Sequence, residues 1–121
     1  MSSKILIVED QDDSANMLMI LLTREGYTTI CAQDGRQGYE LAMKEKPDLV
    51  LTDIEMPDVD GVELIRMLRQ EKDCAKLPII LITAYRTNRV YDAMSAGANA
   101  VTFKPIFYDT LCKTIKEWLP N

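Results

Sequence analysis

Five short apolar runs, Lys4–Val8, Thr28–Ala32, Leu49–Thr52, Ile79–Thr83 and Ala100–Phe103, alternate along the chain with longer segments of helical period. Repeated βαβ units produce this alternation. In the first intervening segment Met17, Ile20, Leu21 and Arg24 fall at helical spacing, and Gly26 stops it. Asp34-Gly-Arg-Gln37 offers an N-cap with a glutamine three residues on, and Asp60-Gly-Val-Glu63 repeats the arrangement before Leu64, Ile65 and Leu68. A fourth helix is expected over Thr87–Ala96, closed by Gly97, and a fifth over Tyr108–Leu119. Three of the runs are apolar almost throughout, which implies a parallel sheet covered on both faces. The fold class is therefore α/β, a doubly wound sandwich. With 121 residues, 47% of them hydrophobic, the chain suits one domain over 1–121, without a linker.

In such sheets ligands bind outside the carboxyl ends of the strands, where strand order reverses. The first run ends in Glu9-Asp10, the third in Asp53, the fourth in Thr83 and the fifth in Lys104-Pro105. The second ends in Gln33 and opens into a helix cap, as suits an edge strand away from the site. If Glu9, Asp10 and Asp53 converge, each pair at ~5 Å costs on the order of 3 kcal/mol at an effective dielectric of 20. Such a cluster needs a cation. Lys104 supplies one charge, and a divalent ion with oxygen ligands suits the remainder, Mg²⁺ or Mn²⁺ by donor type. A carboxylate nucleophile, a metal, a lysine and a hydroxyl together are what phosphoryl transfer to aspartate requires.

Other chemistries are excluded. The chain has no histidine, so neither Ser-His or Cys-His catalysis nor a His-ligated zinc site can be built. Cys31, Cys74 and Cys112 show no metal-binding spacing and read as reduced packing residues. The net charge of −5 argues against direct nucleic-acid binding. No apolar run approaches the roughly 20 residues that span a bilayer, and no signal segment opens the chain, so a cytoplasmic protein is expected. Asp58 and Asp60 read as a solvated loop residue and a helix cap, Asp12 and Asp13 as charge at a helix N-terminus, and the methionines as core fillers.

The stretches "ILIVEDQ", "PDLVLTDIEMPDVDG", "LPIILITA" and "GANAVTFKP" together resemble the receiver domain of bacterial two-component response regulators, over essentially the whole chain. The resemblance implies a flavodoxin-like (βα)5 fold with strand order 2-1-3-4-5. It implies that Asp53 accepts a phosphoryl group from a histidine kinase or histidine phosphotransfer protein. Asp10 and Asp53 would bind Mg²⁺ directly, Glu55 through its backbone carbonyl and Glu9 through water. Thr83 and Lys104 would hold the phosphoryl group, and the Lys104–Pro105 peptide would be cis. Glu55 and Tyr85 would flank the phosphoryl group and tune its lifetime, Tyr85 by shielding it from water.

Two positions depart from the family pattern. Val101 stands where receivers usually carry a switching aromatic, with Phe103 one pleat nearer the site, and Asn99-Ala100 replaces an acidic pair found in many dimeric, DNA-binding regulators. The implied output is a change in the surface of the fourth helix, fifth strand and fifth helix, with Arg86, Arg89, Tyr91 and Phe107 as candidate contacts for a downstream protein. The Met1 start and the Leu-Pro-Asn end favour a stand-alone receiver. The implied chemistry is self-phosphorylation and self-dephosphorylation only. A Mg²⁺-dependent aspartyl phosphatase is the enzymatic rival, weakened by Glu55 where such enzymes carry a second aspartate. A flavodoxin-like cofactor carrier is weakened by the lack of a phosphate-binding loop after Val8.

Overall fold

The computed structural model describes residues 2–84 and 88–119, with Asn88 described by its backbone alone. Tyr85, Arg86 and Thr87 lie outside the described residues. All five apolar runs are strands with the expected bounds: β1 (Lys4–Val8), β2 (Thr28–Ala32), β3 (Leu49–Thr52), β4 (Ile79–Thr83) and β5 (Ala100–Phe103). They pair in parallel in the order β2-β1-β3-β4-β5. The helices are α1 (Asp12–Arg24), α2 (Gly35–Glu45), α3 (Gly61–Arg69), α4 (Asn88–Ala96) and α5 (Tyr108–Trp118), with a 3₁₀ turn at Lys72–Cys74.

Side chains alternate across a strand, and that period of two divides the interior into two cores. Leu6, Val8, Val50, Ile79 and Leu81 face α2, α3 and α4, meeting Ala42, Leu64, Leu68 and Ala93. Ile5, Ile7, Leu49, Leu51, Ile80 and Ile82 face Leu18 and Leu22 of α1 and Leu111 and Ile115 of α5. Full burial of each such side chain contributes about 1.5–3 kcal/mol. The outer strands are less covered: Thr28 is exposed, and of β5 only Thr102 is buried.

The expected helix starts form as capped ends. The Asp34 carboxylate accepts from the Gln37 N–H at 2.8 Å, and the Gln37 side chain accepts from the Gln33 N–H at 2.7 Å. The Asp60 carboxylate accepts from the Glu63 N–H at 3.0 Å. Helix α1 has no side-chain cap, but Asp12 and Asp13 occupy its first turn, where negative charge complements the helix dipole. Gly26 follows it at φ 98°, in the left-handed region that glycine tolerates best.

One stripe differs from expectation. The buried face of α1 is Ala15, Leu18 and Leu22, whereas Met17 and Ile20 are 62% and 56% exposed. The residues at 15, 18 and 22 share the side turned to β1, and the 17–20 pair falls on another side of the same helix. Met17 and Met94 are thus surface residues rather than core fillers, while Met56 is buried. The three cysteines are free, Cys74 and Cys112 buried and Cys31 half-buried. No helix among the described residues is long and apolar enough to cross a membrane.

Candidate functional site

Sheet hydrogen bonding continues one residue beyond three of the strands. The N–H of Glu9 donates to Ala32 O at 3.0 Å, that of Asp53 to Val8 O at 3.1 Å and that of Lys104 to Thr83 O at 2.8 Å. The rim residues are therefore held by the sheet itself. Their side chains converge: one carboxylate oxygen from each of Glu9, Asp10 and Asp53 lies within 4.8 Å of the others. Lys104 Nζ donates to Glu9 Oε1 at 3.1 Å and to Asp53 Oδ2 at 3.2 Å. Backbone donors complete the shell, Gln11 N–H to Glu9 Oε2 at 3.2 Å and Ile54 N–H to Asp53 Oδ1 at 2.7 Å. Beside them opens a cleft of about 320 Å³ lined by Asp10, Gln11, Asp53, Glu55, Thr83 and Lys104.

Glu9 is 3% exposed. Burial pushes its carboxyl pKa above the ordinary value and the charge of Asp53 adds to that, while Lys104 and the Gln11 N–H oppose it. Burial acts to lower the Lys104 ammonium, but the two carboxylates outweigh it and the pKa stands above its usual value. Three carboxylates against one ammonium leave a formal charge of −2 when all are ionised, which one divalent cation would cancel. The donors are all oxygens, as a hard cation prefers. The residues therefore fit a divalent metal.

The structure brings together Glu9, Asp10, Asp53, Glu55, Thr83 and Lys104 as expected. The Lys104–Pro105 peptide is cis. Val101 pairs with Leu81 in register and packs on the α2–α4 side, and Phe103 pairs with Thr83. Asn99 is structural: its Oδ1 accepts from the Ile79 N–H at 2.8 Å and from Arg69 at 3.0 Å. Tyr91 and Phe107 are 74% and 68% exposed, as an outward surface requires. Arg89, a candidate for that surface, pairs with Asp60 across the α3–α4 boundary, and its side chain is 40% exposed. Asp58 remains outside the site; it turns the loop at φ 64° and pairs with Arg36 at 3.4 Å.

Sequence reasoning treated Gly61 only as part of a cap. Its N–H donates to Ile54 O at 2.9 Å, and a Cβ there would stand 2.2 Å from Asp53 O and 2.8 Å from Ile54 Cα. The start of α3 thus presses directly on the peptide that carries Asp53. The signal was present as a glycine at a first helical position, where most residues would favour the helix more.

A doubly wound sheet in this order, with three acids and a lysine at its carboxyl rim, defines a class of signalling domain. The chain belongs to the response regulator receiver domain family, whose model matches residues 5–116. Receivers are the phospho-accepting domains of two-component systems; they take phosphoryl groups from histidine kinases and bind a divalent metal in the acidic pocket. Among its relatives is the polar-differentiation response regulator DivK of Brucella ovis, 31% identical over 120 residues and aligned over 98% of each chain. A putative response regulator from Chloroflexus aurantiacus superimposes with a TM-score of 0.94 at 30% identity, covering 100% of both chains. The receiver domain of sensor histidine kinase PA1611 from Pseudomonas aeruginosa, whose structure has a magnesium ion coordinated in the active site cleft, superimposes with a TM-score of 0.93. It is 26% identical and covers 100% of both chains.

Proposed function

We propose that residues 1–121 are one cytoplasmic receiver domain in which Asp53 accepts a phosphoryl group from a histidine kinase or histidine phosphotransfer protein. An Asp53 carboxylate oxygen attacks phosphorus while the bond to the donor's imidazole nitrogen breaks, forming an acyl phosphate. Asp10, Asp53 and the Glu55 carbonyl would hold Mg²⁺, and Glu9 would contribute through water. Bound there, the ion offsets charge on the phosphoryl oxygens. The Lys104 ammonium pairs with an equatorial oxygen and the Thr83 hydroxyl donates to another. Glu55 and Tyr85 govern access of the water that later hydrolyses the acyl phosphate, so the chemistry is confined to gaining and losing one phosphoryl group. The added charge, roughly −1.5 to −2 by analogy with other phosphorylated side chains, biases the α4-β5-α5 surface toward a downstream protein. The exposed Tyr91 and Phe107 suit a protein partner there, and the net charge of −5 disfavours nucleic acid.

The observation that carries this reading is the convergence of the Glu9, Asp10 and Asp53 carboxylates around Lys104 at the sheet's carboxyl rim. Incubation with acetyl phosphate and Mg²⁺, followed by intact mass measurement, tests it. A single adduct of ~80 Da is expected in the native protein and none in Asp53→Asn. Labelling that persists in Asp53→Asn would overturn the assignment.

A further inference from the structure

A backbone carbonyl has no rotamer of its own, so its direction is set by the peptide that carries it. The Glu55 carbonyl belongs to the loop between β3 and α3, and backbone hydrogen bonds tie that loop near both ends. The Gly61 N–H donates to Ile54 O at 2.9 Å and closes the loop on itself. The Gly35 N–H, at the first residue of α2, donates to Val59 O at 3.1 Å. The side chains of Met56 and Val59 seat the loop in the core beneath it.

The Gly35 contact leaves no space for a side chain. A Cβ there would stand 2.1 Å from Val59 O, 2.7 Å from Val59 Cγ1 and 2.9 Å from Val59 C, so the loop backbone itself is in the way. Gly38 of the same helix has neighbours of another kind: a Cβ would stand 3.0 and 3.2 Å from the Val8 methyls and 3.3 Å from Leu64 Cδ2. The N–H of a first helical residue has no partner within its own helix. In α2 that donor holds the loop. Strand β2 lends no side chain to the acidic cluster, yet the helix that follows it bears on the segment that carries Glu55.

We propose that Gly35 is a positioning residue for the metal: the close approach of α2 to Val59 sets the direction of the Glu55 carbonyl and thereby favours Mg²⁺ over larger divalent ions. This rests on the reading of the Glu55 carbonyl as a metal ligand. Mg²⁺ demands near-octahedral geometry at about 2.0–2.1 Å, whereas Ca²⁺ accepts oxygens at about 2.3–2.6 Å in flexible arrangements. A displaced carbonyl therefore weakens Mg²⁺ binding more than Ca²⁺ binding. A smaller folded fraction, by contrast, lowers both affinities by one factor.

The test is calorimetric titration of metal-free protein with Mg²⁺ and with Ca²⁺, beside hydrogen exchange without metal. In Gly35→Ala the amide of residue 35 loses protection because Val59 O is pushed away. Fraying of α2 does not account for that loss, since alanine favours a helix more than glycine does. Mg²⁺ affinity falls ~10-fold, the lower end for groups that orient a metal's ligands, and Ca²⁺ affinity falls less than ~3-fold. Gly38→Ala, which presses on side chains instead of the loop, keeps the native ratio of the two affinities. Val59→Ala removes the buried side chain that seats the same peptide and creates no clash. It lowers the ratio in the same direction by a smaller factor, and decides the matter if Gly35→Ala does not fold.

Equal losses for both ions in Gly35→Ala, an unchanged ratio in Val59→Ala, or a ratio that falls as far in Gly38→Ala, would overturn the proposal. Protection and ratio both unchanged in Gly35→Ala refute the contact alone. Protection lost with the ratio unchanged refutes Glu55 as a ligand and the proposal with it. A native protein that binds neither ion, or binds them undiminished in Asp10→Asn, refutes the metal site on which both depend.

Discussion

Replacing Lys104 by methionine removes the one ammonium that the structure sets among three carboxylates, at similar side-chain length. At 3.1 and 3.2 Å and an effective dielectric of about 20, its attractions to Glu9 and Asp53 come to about 5 kcal/mol each, gross. Most of that is offset by the dehydration of the ammonium, and stripping one partner from a buried pair costs 3–5 kcal/mol. The Lys104 side chain is 24% exposed, which places the expected loss at the lower end, about 3 kcal/mol. The sign with pH follows from the two shifts. The lysine's raised pKa means that its contribution is complete below the ordinary value of 10.5 and is lost only as pH rises through the folded-state value. Neutral pH therefore shows the full effect. In the variant Glu9 loses the ammonium that holds its pKa down, so it takes up a proton at still higher pH and relieves part of the repulsion. Urea unfolding in the absence of divalent metal is the assay: a loss of about 3 kcal/mol appears as a midpoint lower by ~1.5 M for m near 2 kcal/mol/M. The difference from the native protein is expected to narrow as pH falls through the Glu9 titration, and to shrink on addition of Mg²⁺. A loss below about 0.5 kcal/mol at neutral pH, the level of an ordinary surface substitution, would refute the role given to this charge.

Three further outcomes are expected. Gly61→Ala drives a Cβ to 2.2 Å from Asp53 O, so the acceptor peptide must move; stability falls by about 2 kcal/mol and labelling by acetyl phosphate slows at least about tenfold, measured by denaturation and intact mass. Thr102→Val removes a buried hydroxyl that has no hydrogen-bond partner among the described residues, and is expected to add about 1 kcal/mol and raise Tm by ~4 °C in a calorimetric scan, with labelling unchanged. Because burial raises the Glu9 pKa, the metal-free protein loses Glu9's contribution as pH rises through the folded-state value. The stabilisation by Mg²⁺ grows over that same interval, and a Mg²⁺-induced Tm shift independent of pH from about 4 to 7 would contradict it.

The strands were legible because β1, β3 and β4 are buried on both faces and so are apolar almost throughout, and because charged residues begin abruptly at Glu9, Asp53 and Lys104. The caps at Asp34 and Asp60 were legible for a local reason, a short acceptor three residues from the N–H it serves. Contacts between distant residues were not. Arg89 and Asp60 are 29 residues apart, and Arg69 meets Gly97 across 28; nothing in either segment marks the partner. The side of α1 that faces the sheet was not legible, and Met17 read as a core filler, because Met17 and Ile20 are as hydrophobic as Leu18 and Leu22 and only the sheet determines which side is down. The role of Gly61 depends on the course of the Asp53–Ile54 backbone.

The ion pairs of Lys104 bear on how the protein is made. Glu9 and Lys104 are 95 residues apart, and the three acids all precede the lysine by at least 51. A chain growing from its N-terminus holds its negative charges together before it owns the positive one. Until β5 docks, the acids must stay hydrated, protonated or metal-bound, and the rim cannot close. Charge balance at the acceptor thus reports that the last strand is in place, so a chain truncated before residue 104 would lack a competent site even with every acid present.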